Sequence, residues 1–257
     1  MNVLETRHGR MMVRPGQDLI SANLALHGHY EWDVVNLCAM IAGGYENGVV
    51  LDIGATIGTV TVPMAKAHPM YEIHAWEPQR VVFQQLCGNV AFNDCHNVHV
   101  YNEAIGSANG CMDIDMPDYS TNTNIGAWSM SAKVRENSQE AKAGGKTEMV
   151  EYVCLDELGF PASVRLIKVD VEGYELDVFN GGLNFLKANK YPPIVYESWT
   201  QFEWYQETAE EIKTLLTEVG YNLDVFGNTV VAIHKDASFK LVSQDGPQGK
   251  TVQIVRK

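Results

Sequence analysis

Asp52, Glu77, Glu103, Asp170 and Glu197 each fall at or just past the end of an apolar run, and Glu172 follows Asp170 closely. Ligands of an open α/β sheet bind outside the carboxyl ends of its strands, so this spacing directs the acids toward one crevice. Carboxylates gathered there repel one another unless a cation offsets them. A ligand carrying an amino group and a sulfonium centre would supply that positive charge. The same acids could also take a proton from a reacting hydroxyl or amine. Glu103 and Glu175 read equally well as helix-capping or solvent-facing residues, whereas Asp170 and Glu197 close strongly apolar segments.

The loop after Asp52 narrows the choice of ligand. Residues 49–53 (Val-Val-Leu-Asp-Ile) run into Gly54-Ala55-Thr56-Ile57-Gly58 and then an amphipathic stretch, the order strand, tight loop, helix. Gly54 and Gly58 let the backbone turn sharply and come close to a ligand. A dinucleotide fingerprint requires a further glycine between them. Here Ala55-Thr56-Ile57 crowds the diphosphate position, so the loop suits an adenosine ligand without phosphates better than NAD. Glu77 lies 25 residues beyond Asp52, at the end of the next strand-like run. An acid about 20 residues on accepts hydrogen bonds from ribose hydroxyls. Pro78 then stops the strand.

An alternating frame has to carry these residues. The spacing predicts strand 49–53, helix 58–67, strand 71–76, helix 79–93 and strand 97–101. Strands at 164–169 and 193–197 follow, with a short helix broken at Gly181-Gly182 after the first and a helix over 207–219 after the second. Residues 221–226 and 229–234 flank Gly227-Asn228 as an antiparallel hairpin, and 250–255 adds one more short strand. Such alternation predicts a mostly parallel sheet covered by helices. Residues 1–30 read as irregular, with a turn at 14–18 and a short helical or extended piece at 19–26. A helix over 30–41 should stop near Gly43-Gly44. The chain thus divides into an N-terminal helical lead, 1–47, and a body, 48–257, with a loop-rich insert at about 112–148. Strands are expected at 111–116 and 147–154, while 117–145 between them is rich in Asp, Asn, Ser, Gly and Lys. Connections of that length are often lids or binding loops. Asn124, Trp128 and Ser129 are its candidates for facing a substrate; a plain surface insert anchored by Trp128 is the alternative.

Composition sets outer limits. At 257 residues the chain suits one large domain. Nineteen basic residues against 32 acidic ones give a net charge of −13, which disfavours nucleic-acid backbones and other polyanions. The five cysteines form no CxxC pair, a pattern of reduced thiols in a cytoplasmic compartment. His27/His29 and His96/His99 lack a companion Cys or acid at zinc-site spacing, so no metal site is assigned. No run approaches the roughly 20 apolar residues that span a bilayer, and the first 14 residues do not read as a signal peptide. The expectation is a soluble cytoplasmic protein without membrane or nucleic-acid partners. Homo-oligomerisation is left open.

The motifs together resemble the FkbM family of S-adenosylmethionine-dependent methyltransferases, over roughly residues 19–235. Residues 50–58 resemble the family's first motif, with Thr56 where Asn is more usual, and Trp76-Glu77-Pro78 its ribose-binding acid motif. The most specific likeness is 167–175 (Ile-Lys-Val-Asp-Val-Glu-Gly-Tyr-Glu) followed by Gly181-Gly182. Residues 193–197 and 230–235 resemble its next and closing strands, and 26–31, including Tyr30, its lead into the first helix. The resemblance implies a Rossmann-like class I methyltransferase fold: a seven-stranded sheet, six strands parallel and the last reversed in a C-terminal hairpin. It implies S-adenosylmethionine held by Tyr30, Asp52, Gly54, Ala55, Thr56, Gly58, Glu77 and Pro78, with Glu103 and Ala104 beside the adenine and Asp170 at the junction with the substrate. Asp170, Glu172 and Glu197 would face a small hydroxylated acceptor such as a sugar, glycoside or natural product, with Asp170 the first choice of base. A divalent ion bridging Asp170 and Glu197 is a less favoured route to the same activation. An N-methyltransferase of a small amine, a nicotinamide-dependent oxidoreductase and a non-catalytic cofactor-binding protein are the other readings.

Overall fold

Short runs rich in Val, Ile and Leu, such as 49–51 and 194–195, fit strands covered on both faces, and they form the middle of the central sheet. The computed structural model describes residues 1–14, 18–120, 124–138, 143–160, 162–246 and 249–256. The chain opens with β1 (Asn2–Thr6) and β2 (Gly9–Val13), then α1 (Leu19–His27) and α2 (Trp32–Ala42). The alternating body follows as β3 (Gly48–Ile53), α3 (Thr61–Ala67), β4 (Tyr71–Trp76), α4 (Arg80–Phe92) and β5 (Val98–Tyr101). An insert comprises β6 (Ala104–Gly106), β7 (Gly110–Pro117), α5 (Ala132–Ser138) and β8 (Ala143–Cys154). The body resumes with β9 (Val164–Val169), α6 (Glu175–Asn180), α7 (Leu183–Ala188), β10 (Ile194–Glu197) and α8 (Gln206–Glu218). It closes with β11 (Tyr221–Phe226), β12 (Thr229–His234), β13 (Phe239–Gly246) and β14 (Gly249–Arg256).

The main sheet has seven strands in the order β11-β12-β10-β9-β3-β4-β5. The strands from β10 to β5 pair in parallel, and β12 runs antiparallel to both β10 and β11. This is the Rossmann-like class I methyltransferase arrangement, with the reversed strand slotted between its hairpin partner and the parallel set. Strand alternation divides the core. Val50, Ile73, Leu166 and Val195 face the side of α1, α2 and α3, while Leu51, Ile53, Ile167 and Val169 face that of α6, α7 and α8. No helix among the described residues is long and apolar enough to cross a membrane.

Three regions differ from the sequence expectation. Residues 2–13 form an antiparallel hairpin rather than irregular chain. Met11 and Val13 are buried, and the Met12 N–H donates to the Asn89 carboxamide of α4 (2.6 Å). Two inward residues on a five-residue strand are too few for a periodic signal. Residues 15–17 of the expected turn lie outside the described residues. At the other end, β14 pairs with β13 as a separate hairpin, so the expected last strand does not join the main sheet. The insert, finally, is a three-stranded sheet, β6-β8-β7, with its own small core of Ala104, Ile114, Met116, Val150 and Tyr152. Its residues 121–123 and 139–142 are outside the described residues.

Candidate functional site

The loop from β3 to α3 is shaped by what abuts it. Gly54 has φ +80°, and a Cβ there would overlap the Asp170 carbonyl at the end of β9. Gly58 has φ +91°, with a Cβ position 2.9 Å from the Leu86 side chain of α4. Both glycines therefore serve turn geometry and close packing between elements. Thr56 between them has φ +51°, uncommon for a β-branched residue. Its N–H donates to Glu77 Oε2 (3.1 Å), and the Gln79 N–H donates to Glu77 Oε1 (2.8 Å). Glu77 is 4% exposed; burial pushes its pKa up to about 7, against the pull of those two N–H groups and of Lys168.

Below the loop lies a buried ion network. Asp52 accepts a hydrogen bond from Thr61 Oγ1 (2.6 Å), and its other oxygen is 3.2 Å from the Lys168 ammonium. Lys168 Nζ also donates to the Gly54 carbonyl (2.7 Å) and lies 3.3 Å from Asp170 Oδ2. Burial alone would lower the Lys168 pKa, but Asp170, Asp52 and Glu31 outweigh it and hold the ammonium charged. One buried cation thus joins the first loop to the end of β9.

Two cavities meet above this network. The larger, about 300 Å3, is lined by Glu31, Asp170, Glu172, Glu197 and Lys168, and also by Trp199, Phe202 and Trp204. The smaller, about 40 Å3, is lined by Gly54, Glu77, Pro78, Glu103, Ala104 and Trp128. Thr56, Gly126, Asp170 and Glu172 belong to both. Of the residues singled out in the sequence, Tyr30, Ala55 and Asn124 also line the larger cavity. Trp128 lines the smaller one, its indole N–H donating to the Asp115 carbonyl (3.1 Å). Asp52, Gly58 and Ser129 line neither; Ser129 is buried and its hydroxyl accepts the Ser131 N–H (3.0 Å).

The acids of the larger cavity strongly affect one another. Asp170, Glu172 and Glu197 offer oxygens within 4.8 Å of one another, a set that could hold a hard cation. Burial, then Asp170 and Glu197, raises the Glu172 pKa well above the carboxylate range. Burial, then Asp170, raises Glu197 to about 9, and Glu31 reaches about 7 for the same leading reasons. Glu31 (φ +45°) and Glu172 (φ +55°) both hold left-handed backbone here, as Thr56 does. A carboxyl whose folded pKa exceeds its ordinary value stabilises the fold while protonated and loses that contribution as pH rises. Between pH 4.5 and about 9 the Glu197 contribution should therefore decline. Glu197→Gln, which cannot ionise, should be more stable than the parent at pH 8–9, by about 1–2 kcal/mol. The gain should vanish near pH 4, as read by denaturant titration at both pH values.

The N-terminal hairpin fixes one wall. His8, buried in its turn, places Nδ1 2.6 Å from the Thr59 carbonyl, while Nε2 accepts the Tyr30 N–H (3.0 Å). Burial lowers the His8 pKa, consistent with this neutral pairing.

Residues 52–223 match the methyltransferase FkbM domain, about two thirds of the chain. The chain belongs to the FkbM methyltransferase family. The methyl donor of the FkbM domain is S-adenosylmethionine. Among similar proteins, Methyltransferase sdnD of Sordaria araneosa is 28% identical over 207 residues, covering 72% of this chain and 78% of that protein. Methyltransferase 1 of Beauveria bassiana (strain ARSEF 2860) is 26% identical over 157 residues, 57% of this chain; the match spans 63% of the length of that relative. Precorrin-6y C5,15-methyltransferase of Geobacter metallireducens GS-15, a crystal structure, is 15% identical with a TM-score of 0.45, over 87% of this chain and 83% of that one.

Sequence reading passed over several residues that line the larger cavity. Lys168 was detectable: a lysine inside the apolar run 164–169 must find a buried anion. Trp199, Phe202 and Trp204 form a dense aromatic run just after β10. Glu31 carries no signal beyond its neighbour Tyr30.

Proposed function

We propose that the protein transfers a methyl group from S-adenosylmethionine to a hydroxyl of a small molecule, such as a sugar, glycoside or natural product. The observation that carries this reading is the pair of cavities sharing Thr56, Gly126, Asp170 and Glu172. A donor along the Glu77–Ala104 side and an acceptor among the aromatic rings would meet beside Asp170. In-line alignment of an acceptor oxygen with the S–CH3 bond supplies much of the roughly 7–11 kcal/mol available from proximity and orientation. Asp170 would then accept the hydroxyl proton as transfer proceeds. Trp199, Phe202 and Trp204 offer aromatic surface for the C–H side of a ring, and the carboxyl groups of the same cavity offer partners for its hydroxyls. The acidic lining keeps a second reading alive, methylation of a small amine. A structure with S-adenosylhomocysteine and the acceptor decides between them: an oxygen within about 3–3.5 Å of the missing methyl supports the first, a nitrogen there overturns it.

Glu77 is proposed to accept hydrogen bonds from the ribose hydroxyls. Glu77→Ala should remove about 1.5–3 kcal/mol of cofactor binding, read by calorimetry. Because the folded pKa is about 7, affinity in the parent should fall as pH drops below 7 and the acceptor oxygens gain a proton. Glu77→Gln should lack that dependence. Seating an adenosyl group in a cavity of about 40 Å3 requires the segment bearing Gly126 and Trp128 to shift outward. Tight NAD binding with no response to S-adenosylmethionine would instead favour an oxidoreductase.

A further inference from the structure

Glu72, His74 and His99 come together on one face of the sheet edge, away from both cavities. β4 and β5 are paired with His74 directly opposite His99, and Glu72 shares the face of His74 by strand alternation. One nitrogen of each imidazole and a Glu72 oxygen all lie within 4.8 Å of one another. The rings are nearly parallel, 16° apart with centroids at 4.7 Å. His74 is only 7% exposed, and its Nε2 is buried with no hydrogen-bond partner. Glu72 Oε2 is 3.7 Å from it, beyond hydrogen-bond reach. A buried imidazole nitrogen left so is costly unless something occupies the space it faces.

The partner of the other nitrogen allows Nε2 to be the unprotonated one. His74 Nδ1 is 2.8 Å from the Tyr101 hydroxyl. With that oxygen accepting the Nδ1 proton, Nε2 presents a lone pair, as in metal-ligating histidines oriented by an outer hydrogen bond. The ring is held in place by Phe160 edge-on (4.6 Å) and by Tyr101 stacked alongside at 5.8 Å. His99 is exposed and Glu72 half-buried, so these two have room to close on an ion.

We propose that Glu72, His74 and His99 bind a divalent transition ion of the zinc type and tie the edge strand β5 to β4. Two imidazoles and a carboxylate match zinc ligand chemistry, with water completing a tetrahedron. Bonds of about 2.1 Å place tetrahedral ligand atoms about 3.4 Å apart, a contraction that falls to Glu72 and His99. The site is assembled across strands, which is why linear histidine spacing did not disclose it. The acids around Asp170, by contrast, form an all-oxygen set suited to Mg2+.

Titration of the full chain with Co2+, followed by visible absorption, tests this. One equivalent of a tetrahedral Co2+ spectrum is expected, displaced by Zn2+ and unaffected by excess Mg2+. Zn2+ should raise the melting temperature of the parent but not of His99→Ala. His99→Ala and Glu72→Gln, both at accessible positions, should weaken Zn2+ binding at least tenfold with unchanged circular dichroism. Asp170→Asn should bind Co2+ like the parent. The proposal fails if Co2+ is not bound, if His99→Ala binds it equally well, or if Mg2+ or Asp170→Asn removes it.

Discussion

Replacing Lys168 by Met should destabilise the protein by about 3–5 kcal/mol, the usual cost of deleting one partner from a buried ion pair. Lys168 is 5% exposed and Asp52 1%, so water cannot take over for the lost ammonium. Asp52 and Asp170 would be left facing each other across the vacated space, and the Gly54 carbonyl would lose its 2.7 Å donor. The effect should appear as a lower midpoint in urea with an unchanged slope. Adding Asp52→Asn to Lys168→Met should recover part of the loss, since the two residues belong to one network. Cofactor affinity should fall together with stability, because Gly54 and Asp170 border the smaller cavity. A loss below about 1 kcal/mol would show that the network is not an ion pair in the folded protein.

Asp170→Asn should lower turnover by about 10²–10⁴ while leaving cofactor affinity within a few-fold of the parent. The acids around the larger cavity are not equivalent as proton acceptors. Glu172 is pushed well above the carboxylate range and Glu197 to about 9, by burial first and then by neighbouring acids, so both hold a proton more tightly than an ordinary carboxyl. Asp170 faces the Lys168 ammonium at 3.3 Å and sits where the two cavities join. The proposed base is therefore Asp170, and Glu172→Gln or Glu197→Gln should cost less turnover. Single-turnover rates and calorimetry on the same preparations separate the two quantities. If Asp170→Asn abolished cofactor binding with the fold intact, Asp170 would belong to the donor site and the base would be Glu172 or Glu197.

Much of this architecture is legible in residue order. β4, β9, β11 and β12 begin and end where the apolar runs do, because Gly or Pro punctuates their ends or β-branched residues fill them. Glu77, Glu103, Asp170 and Glu197 line the two cavities, as parallel strands carry their carboxyl ends to one side, whereas Asp52 lines neither. What eluded the sequence depends on pairing across the chain. Glu31 reaches the larger cavity at the start of α2, which packs against β9, and His74 meets His99 through strand register. The β1–β2 hairpin is too short for its alternation to stand out. Asp52, expected beside the cofactor, is buried beneath the loop, where it holds Lys168 and Thr61.

Gly126 forms wall on both sides of the junction between the cavities. A displacement of that wall made for one ligand is felt by the other. With donor and acceptor bound as proposed, the two binding equilibria are linked, and linkage is reciprocal: whatever factor the acceptor changes donor affinity by, the donor must change acceptor affinity by the same factor. Trimming the insert would then alter both affinities and the coupling between them, even with every carboxylate of the site left in place.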